Sequence, residues 1–230
     1  MRLLRVDFDP AEEGRIQVEL CDHTETEDQN LRYAIFSHRW QKDEVLFADV
    51  ADPDRALSEA TRNKSGFVKL EAFCRIALEH GLQHVWIDTC CVDRNSSAGV
   101  SEYSNALFTY YAKAELCITY LDDIEDHPKD SYFLDRSMWF SESWNLPALV
   151  APKDLHYYSQ GWNKLGTKAS LSRLTCQASG VPERVLVDPY SLDSICVSEK
   201  MSWAARRTTM RGEDRTYSLM GLFGVNMPLL

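Results

Sequence analysis

The chain has 230 residues, with 25 Lys and Arg against 35 Asp and Glu, a formal net charge of −10 and 44% hydrophobic residues. That composition is ordinary for a globular protein, with enough chain to bury a core in one large domain or two small ones. An acidic chain without a basic cluster is poorly suited to nucleic-acid phosphates or anionic lipid. No apolar run approaches the ~18 residues that a membrane span needs.

The opening "MRLLRVDFDPAEEG" turns acidic too early for a secretory signal, so the chain reads as intracellular, in the cytoplasm. Seven cysteines occur without a CxxC pair. Reduced thiols packed as small hydrophobes are expected, not a zinc ribbon. The segment "LRYAIFSHRW" (31–40) rises into a buried strand over 33–37 and breaks into a polar and aromatic loop. "DEVLFADV" is short and amphipathic, and 51–66 reads as an exposed loop. "VKLEAFCRIALEHGLQ" repeats Leu70, Phe73, Cys74, Ala77 and Leu78 at helical spacing, with Gly81 suited to the position after the cap.

"HVWIDTCCV" (84–92) is apolar throughout and reads as a central strand, with Cys90-Cys91 at its end. "YSNALFTYYAKAE" carries Leu107, Tyr110, Tyr111 and Ala114 on one helical face, and "LCITYLDD" (116–123) is a third strand ending in acids. Strand, helix, strand, helix, strand predicts an α/β fold with a parallel sheet flanked by helices, and sites at the carboxyl ends of the strands. The last third is less regular and more helical, with helices over "KASLSRLTCQASG" and "ICVSEKMSWAARRTTM" and an apolar helix ending "RGEDRTYSLMGLFGV".

The predicted strand ends carry Ser37-His38-Arg39-Trp40, Asp88-Thr89-Cys90 and Asp122-Asp123. GxGxxG, GxxxxGK[ST], GxSxG and HExxH are all absent. A Cys/His hydrolase can be drawn from Cys90 or Cys91 with His38, against the plainer reading of a buried thiol beside a polar loop; nothing in the sequence supplies an orienting third group. Asp88 is either a functional carboxylate or the cap of the next turn. Trp86, Trp139 and Trp144 read as core, whereas Trp40 follows three polar residues on a loop. In "RRTTMRGED", Thr209 or Asp214 sits near a helix cap, and an Arg–carboxylate network is expected. "FSESWNLPALVAP" (140–152) reads as a short helix bearing Trp144, Leu146, Leu149 and Val150, with no ionisable group between 143 and 151.

Taken in order, these blocks resemble the heterokaryon-incompatibility (HET) domain of fungal self/non-self recognition proteins, over nearly the whole chain. "YAIFSHRW" resembles the family's "YAxLSHxWG", and "VWIDTCCVDRNSSAGVSEYSNALFTYYAKAELCITYLDD" its "WIDTCCIDK" core. "WFSESWNLPALVAP" resembles "WFxRGWTLQELIAP", and the segment from "MSWAARRTTM" to "NMPLL" a block of similar spacing. The resemblance implies a single HET domain over 1–230, the N-terminal part of a longer receptor-like protein. HET domains are in turn similar to TIR domains, which implies a flavodoxin-like sheet. Several TIR domains cleave NAD between nicotinamide and ribose with one helical Glu.

The implied function is therefore a cell-death effector of vegetative incompatibility. It would hydrolyse NAD as substrate, without cofactor or metal, when an upstream recognition module and self-association cluster it. The implied catalytic positions are Ala148, which stands where the family has Glu, and Asp88; Ser37, His38, Arg39, Trp40 and Trp144 would hold substrate. The alanine is either natural or a replacement that disarms the domain. Glu142, six residues from 148 and ~240° around a helix, is expected to face elsewhere. Alternatively, the family Glu only pairs with an Arg such as Arg207 or Arg211, and the domain is a non-enzymatic, self-associating signalling module.

Overall fold

A computed structural model of the chain describes residues 1–12, 14–23, 31–52, 56, 58–126, 134–209, 212 and 214–227. The chain divides into two compact units, residues 1–36 with 40–100, and residues 37–39 with 101–230.

In the first unit, β1 (Arg2–Phe8) and β2 (Ile16–Asp22) form an antiparallel hairpin in continuous register from Arg2↔Asp22 to Phe8↔Ile16. Leu4, Val6, Ile16 and Val18 turn inward while Arg2 and Arg5 pair with Asp22, Asp7 and Glu19 in solvent. β1 also pairs antiparallel with β4 (His84–Trp86), and β4 pairs parallel with β3 (Ala34–His38), giving the order β2-β1-β4-β3. The short helices α1 (Phe47–Val50) and α2 (Glu59–Arg62) lead to α3 (Phe67–Glu79).

α3 follows its sequence pattern. Leu70, Phe73, Cys74 and Ala77 are buried, and Phe73 stacks on Phe36 at 4.7 Å. Gly81 adopts φ +71°, so that its amide donates to the Leu78 carbonyl and the Leu82 amide to that of Ala77. These are the two bonds of a Schellman stop, for which glycine has no steric penalty. At the other end, a Cβ on Gly66 would lie 2.7 Å from the Glu44 Cα. That close approach seats Glu44 against Lys69 in a buried ion pair, and Glu44 also accepts the Gln41 amide at 2.7 Å.

The apolar run 84–92 is a strand only as far as Trp86. Asp88–Cys91 is one turn of helix, α4, in which the Cys90 and Cys91 amides both donate to the Ile87 carbonyl. A short apolar run does not by itself separate a buried strand from a buried helical turn.

The second unit takes most of α5 (Ser97–Lys113), then β5 (Leu116–Tyr120), α6 (Asn145–Val150), β6 (Leu155–Tyr158) and β7 (Lys164–Thr167). β5 and β6 are parallel and fully buried; β7 closes the series antiparallel to β6. The remainder is helical: α7 (Ser172–Ser179), stopped by Gly180 at φ +75°, α8 (Glu183–Val187), α9 (Val197–Ala205) and α10 (Asp214–Tyr217). A parallel bridge between Glu142 and Thr208 ties the segment before α6 to the segment after α9.

The fold class is α/β, as expected, but the sheet pairing is mixed. The parallel pairs β3/β4 and β5/β6 are joined by antiparallel partners that the strand–helix alternation did not predict. Among the described residues, no helix is long and apolar enough to cross a membrane.

Candidate functional site

In the first unit, the chain leaving β3 places Trp40 beside the start of α4. The Trp40 Nε1–H donates to Asp88 Oδ2 at 2.9 Å, and Arg94 Nη2 donates to the same oxygen at 3.0 Å. The Arg94 guanidinium also lies over the Trp40 ring, 4.7 Å from its centroid. Trp40 remains 48% exposed. Asp88 therefore fixes an exposed indole and a guanidinium against each other. Asp88 and Trp40 were expected as site residues and the structure brings them together. Arg94 was missed, because it reaches Asp88 across a loop of no recognisable pattern.

Cys90 and Cys91 are buried in the same unit. The Cys90 thiol donates to the Val45 carbonyl at 3.2 Å. Burial, reinforced by the neighbouring Cys91, pushes the Cys90 pKa well above its ordinary value; burial pushes Cys91 up to about 12. The thiolate is the nucleophile in cysteine chemistry, so Cys90 is held in its unreactive form. Burial and the bond to the Val45 carbonyl both disfavour the Cys90/His38 hydrolase.

In the second unit, Ser37 is buried and its Oγ accepts the Trp139 Nε1–H at 3.0 Å; His38 is buried next to it in the chain. Arg39 is surrounded by acids. Its Nε lies 3.0 Å from Glu142 Oε1, and its Nη1 lies 3.4 Å from Asp122 and 3.5 Å from Asp123. Burial opposes the Arg39 charge, but the Glu142 hydrogen bond and the fields of Asp122, Glu142 and Asp123 outweigh it, so its pKa is raised. Asp123 is itself held by Ser137 Oγ and the Met138 amide, both at 2.7 Å.

α6 is the helix read from "FSESWNLPALVAP". Trp144 is its N-cap and stacks on Tyr103 with centroids 6.2 Å apart. All six residues from Asn145 to Val150 are buried, and Ala148 has 0% exposure. Glu142 is not on this helix. It closes the preceding 3-10 turn, Met138–Ser141, and so a helical-wheel argument does not place it; its partner is Arg39. Downstream, Lys168 is buried and its Nζ donates to the carbonyls of Leu149 (3.2 Å) and Pro152 (2.6 Å), closing the carboxyl end of α6. Burial lowers its pKa to about 8.

Arg207, a possible partner for a carboxylate at 148, is buried and bonds instead to the backbone carbonyls of Trp203 and Glu142, at 3.2 and 3.0 Å. Burial lowers its pKa to about 10. Arg211, the other possibility, lies outside the described residues. Among the described residues, no group of three or more His, Cys, Asp and Glu side chains is arranged to hold a metal ion.

An α/β scaffold with carboxylate–arginine clusters at its strand ends defines the class of protein. The comparisons give the family. Residues 33–173 match the family model described as "Heterokaryon incompatibility protein (HET)". The chain is 33% identical over 207 residues, 86% of its length, to a protein named vegetative incompatibility protein HET-E-1 from Podospora anserina. The chain belongs to the HET family. It spans only 15% of that relative's length. No solved structure matches it.

Proposed function

We propose that this chain is the effector domain of a vegetative-incompatibility protein, acting in the cytoplasm, with a site shaped for NAD, and that it is silent toward NAD as it stands. What supports this reading is the family resemblance, which puts a glutamate where this chain has Ala148, on a helix with no ionisable side chain. The chemistry explains why one missing carboxylate suffices. Nicotinamide leaves NAD as a neutral base from a cationic ring, so no general acid is needed. What the reaction requires is a carboxylate beside the ribose, where an oxocarbenium-like charge develops. Asp88 Oδ2 accepts from Trp40 and Arg94, and Glu142 pairs with Arg39. An upstream recognition module that clusters the domain would supply the trigger.

A second reading, a non-enzymatic signalling module, is favoured by the complete burial of α6, which is what a packing helix requires. The two separate in one experiment. The unmodified chain and Ala148→Glu are clustered on a scaffold, and nicotinamide release from NAD is followed. Circular dichroism checks the fold, because a buried unpaired carboxylate costs several kcal/mol. Release from Ala148→Glu alone is the expected result. Silence from both folded proteins establishes the second reading.

A further inference from the structure

We infer that, in the second unit, the segment before α6 and the segment after α9 enclose a binding site for one small inorganic anion, held by Arg207 Nη2 and Ser143 Oγ. The inference stands apart from the NAD reading and concerns what completes this part of the unit.

Three observations carry it. First, Arg207 is a buried cation, 2% exposed, that the described residues do not neutralise. Its Nε donates to the Trp203 carbonyl at 3.2 Å and its Nη1 to the Glu142 carbonyl at 3.0 Å, both uncharged acceptors. The Glu142 carboxylate pairs with Arg39. Apart from burial, the field on Arg207 is that of Tyr157, whose hydroxyl meets Thr175 and whose own pKa burial raises, so that it stays neutral. A buried charge is costly unless an opposite charge or a full set of hydrogen bonds compensates it. Second, Arg207 Nη2 and Ser143 Oγ are both buried without a hydrogen-bond partner, and Ser143 is 1% exposed. Buried polar atoms of native proteins are nearly always satisfied, and where the protein supplies no partner an ordered water or ion does so. Third, the two side chains meet on one peptide group. The peptide joining Glu142 to Ser143 gives its carbonyl to Arg207 Nη1 and its N–H to the Thr208 carbonyl at 2.9 Å. The Thr208 amide returns to the Ser141 carbonyl at 2.7 Å.

These groups define the ligand. A guanidinium can only donate, and a serine hydroxyl can donate alongside it. A water between them would satisfy hydrogen bonds and leave the charge of Arg207 uncompensated, whereas an anion answers both needs. Neither atom reaches solvent, so the ligand is small: a halide or inorganic phosphate, not a nucleotide. Once bound, it fastens the residues that follow α9 to those that lead into α6.

The test uses the whole chain. Urea unfolding is followed while sodium chloride or sodium phosphate replaces sodium gluconate at constant ionic strength. Gluconate is too bulky for an enclosed site and controls for screening. Phosphate also stabilises by exclusion from the surface, which acts on every variant alike. A saturable rise is expected: at ten times the dissociation constant, the folded-to-unfolded ratio grows about elevenfold. The salt that produces it identifies the ion. Arg207→Met, compared by its response to the anion and not by its absolute stability, should lose the rise. Ser143→Ala leaves the backbone bonds of Arg207 in place and should weaken the anion at least about threefold. Circular dichroism checks that each variant is folded, and Ser143→Ala decides the matter if Arg207→Met is not. Crystals grown with bromide should show an anomalous peak in contact with Arg207 Nη2 and Ser143 Oγ. No saturable response to either salt, or a response that Ser143→Ala leaves unchanged, overturns the inference, as does a water at that place in the bromide crystals. Nicotinamide release by Ala148→Glu bears on the NAD reading alone, so the two proposals can fail separately.

Discussion

Replacing Trp139 with alanine is expected to cost about 3–5 kcal/mol of stability, the range for removing a large buried aromatic. Trp139 has 0% exposure and packs edge-on against Phe140 at 5.0 Å and Tyr157 at 6.4 Å. Its indole N–H satisfies the buried Ser37 hydroxyl, and its backbone carbonyl accepts the Asn145 side chain at 3.0 Å. The substitution therefore opens a cavity and leaves Ser37 Oγ without its donor. Urea denaturation measures the loss. Trp139→Phe separates the two contributions: it keeps most of the ring contact and removes the indole N–H, and should cost only about 1–2 kcal/mol. Equal losses in both variants would mean that the hydrogen bond, not the packing, dominates at this position.

Stability should fall steeply at alkaline pH. Burial raises the pKa of Cys74, Cys90, Cys91 and Cys117 above the ordinary value of 9, with Cys91 and Cys117 reaching about 12. An acid whose folded pKa is raised contributes stability in full below its unfolded pKa, and loses it as pH climbs toward the folded one. Lys168 acts in the opposite sense. Burial lowers its folded pKa to about 8 from an ordinary 10.5, so the penalty of holding it charged is relieved across that window. Between pH 8 and 10 the four thiols withdraw roughly 5 kcal/mol and Lys168 returns roughly 2, a net loss of roughly 3 kcal/mol. Urea unfolding at a series of pH values, under reductant, measures the slope. Lys168→Met, compared by slope and not by absolute stability, should steepen the fall to roughly 5 kcal/mol. A profile flat across this range would contradict the burial of the thiols.

What was legible in the sequence was whatever its own periodicity enforces. α3 could be read because its apolar residues recur every three to four positions and end at a glycine that must take positive φ. β3 and β5 could be read because every residue in them is buried. β1 and β2 could not, because Arg5, Asp7 and Glu19 on their solvent face give the hairpin the look of a charged terminus. α4 was taken for strand because "WIDTCCV" is apolar whichever way the backbone turns. The site divides in the same way. Trp40 and Asp88 stood out as an exposed ring and an acid at strand ends, but nothing local pairs Asp88 with Arg94 six residues on. Nor does spacing reveal that Arg39 is enclosed by Asp122, Asp123 and Glu142, the last of them 103 positions away. Such pairings exist only once the backbone has turned back on itself.

On the proposed function, this HET domain binds NAD and leaves it whole. The most direct measurement is calorimetric titration of the unmodified chain with NAD, repeated on the clustered protein, with nicotinamide quantified in the same samples. Saturable binding with NAD recovered intact is the predicted result. Nicotinamide released above the buffer rate by the chain carrying Ala148 would contradict it.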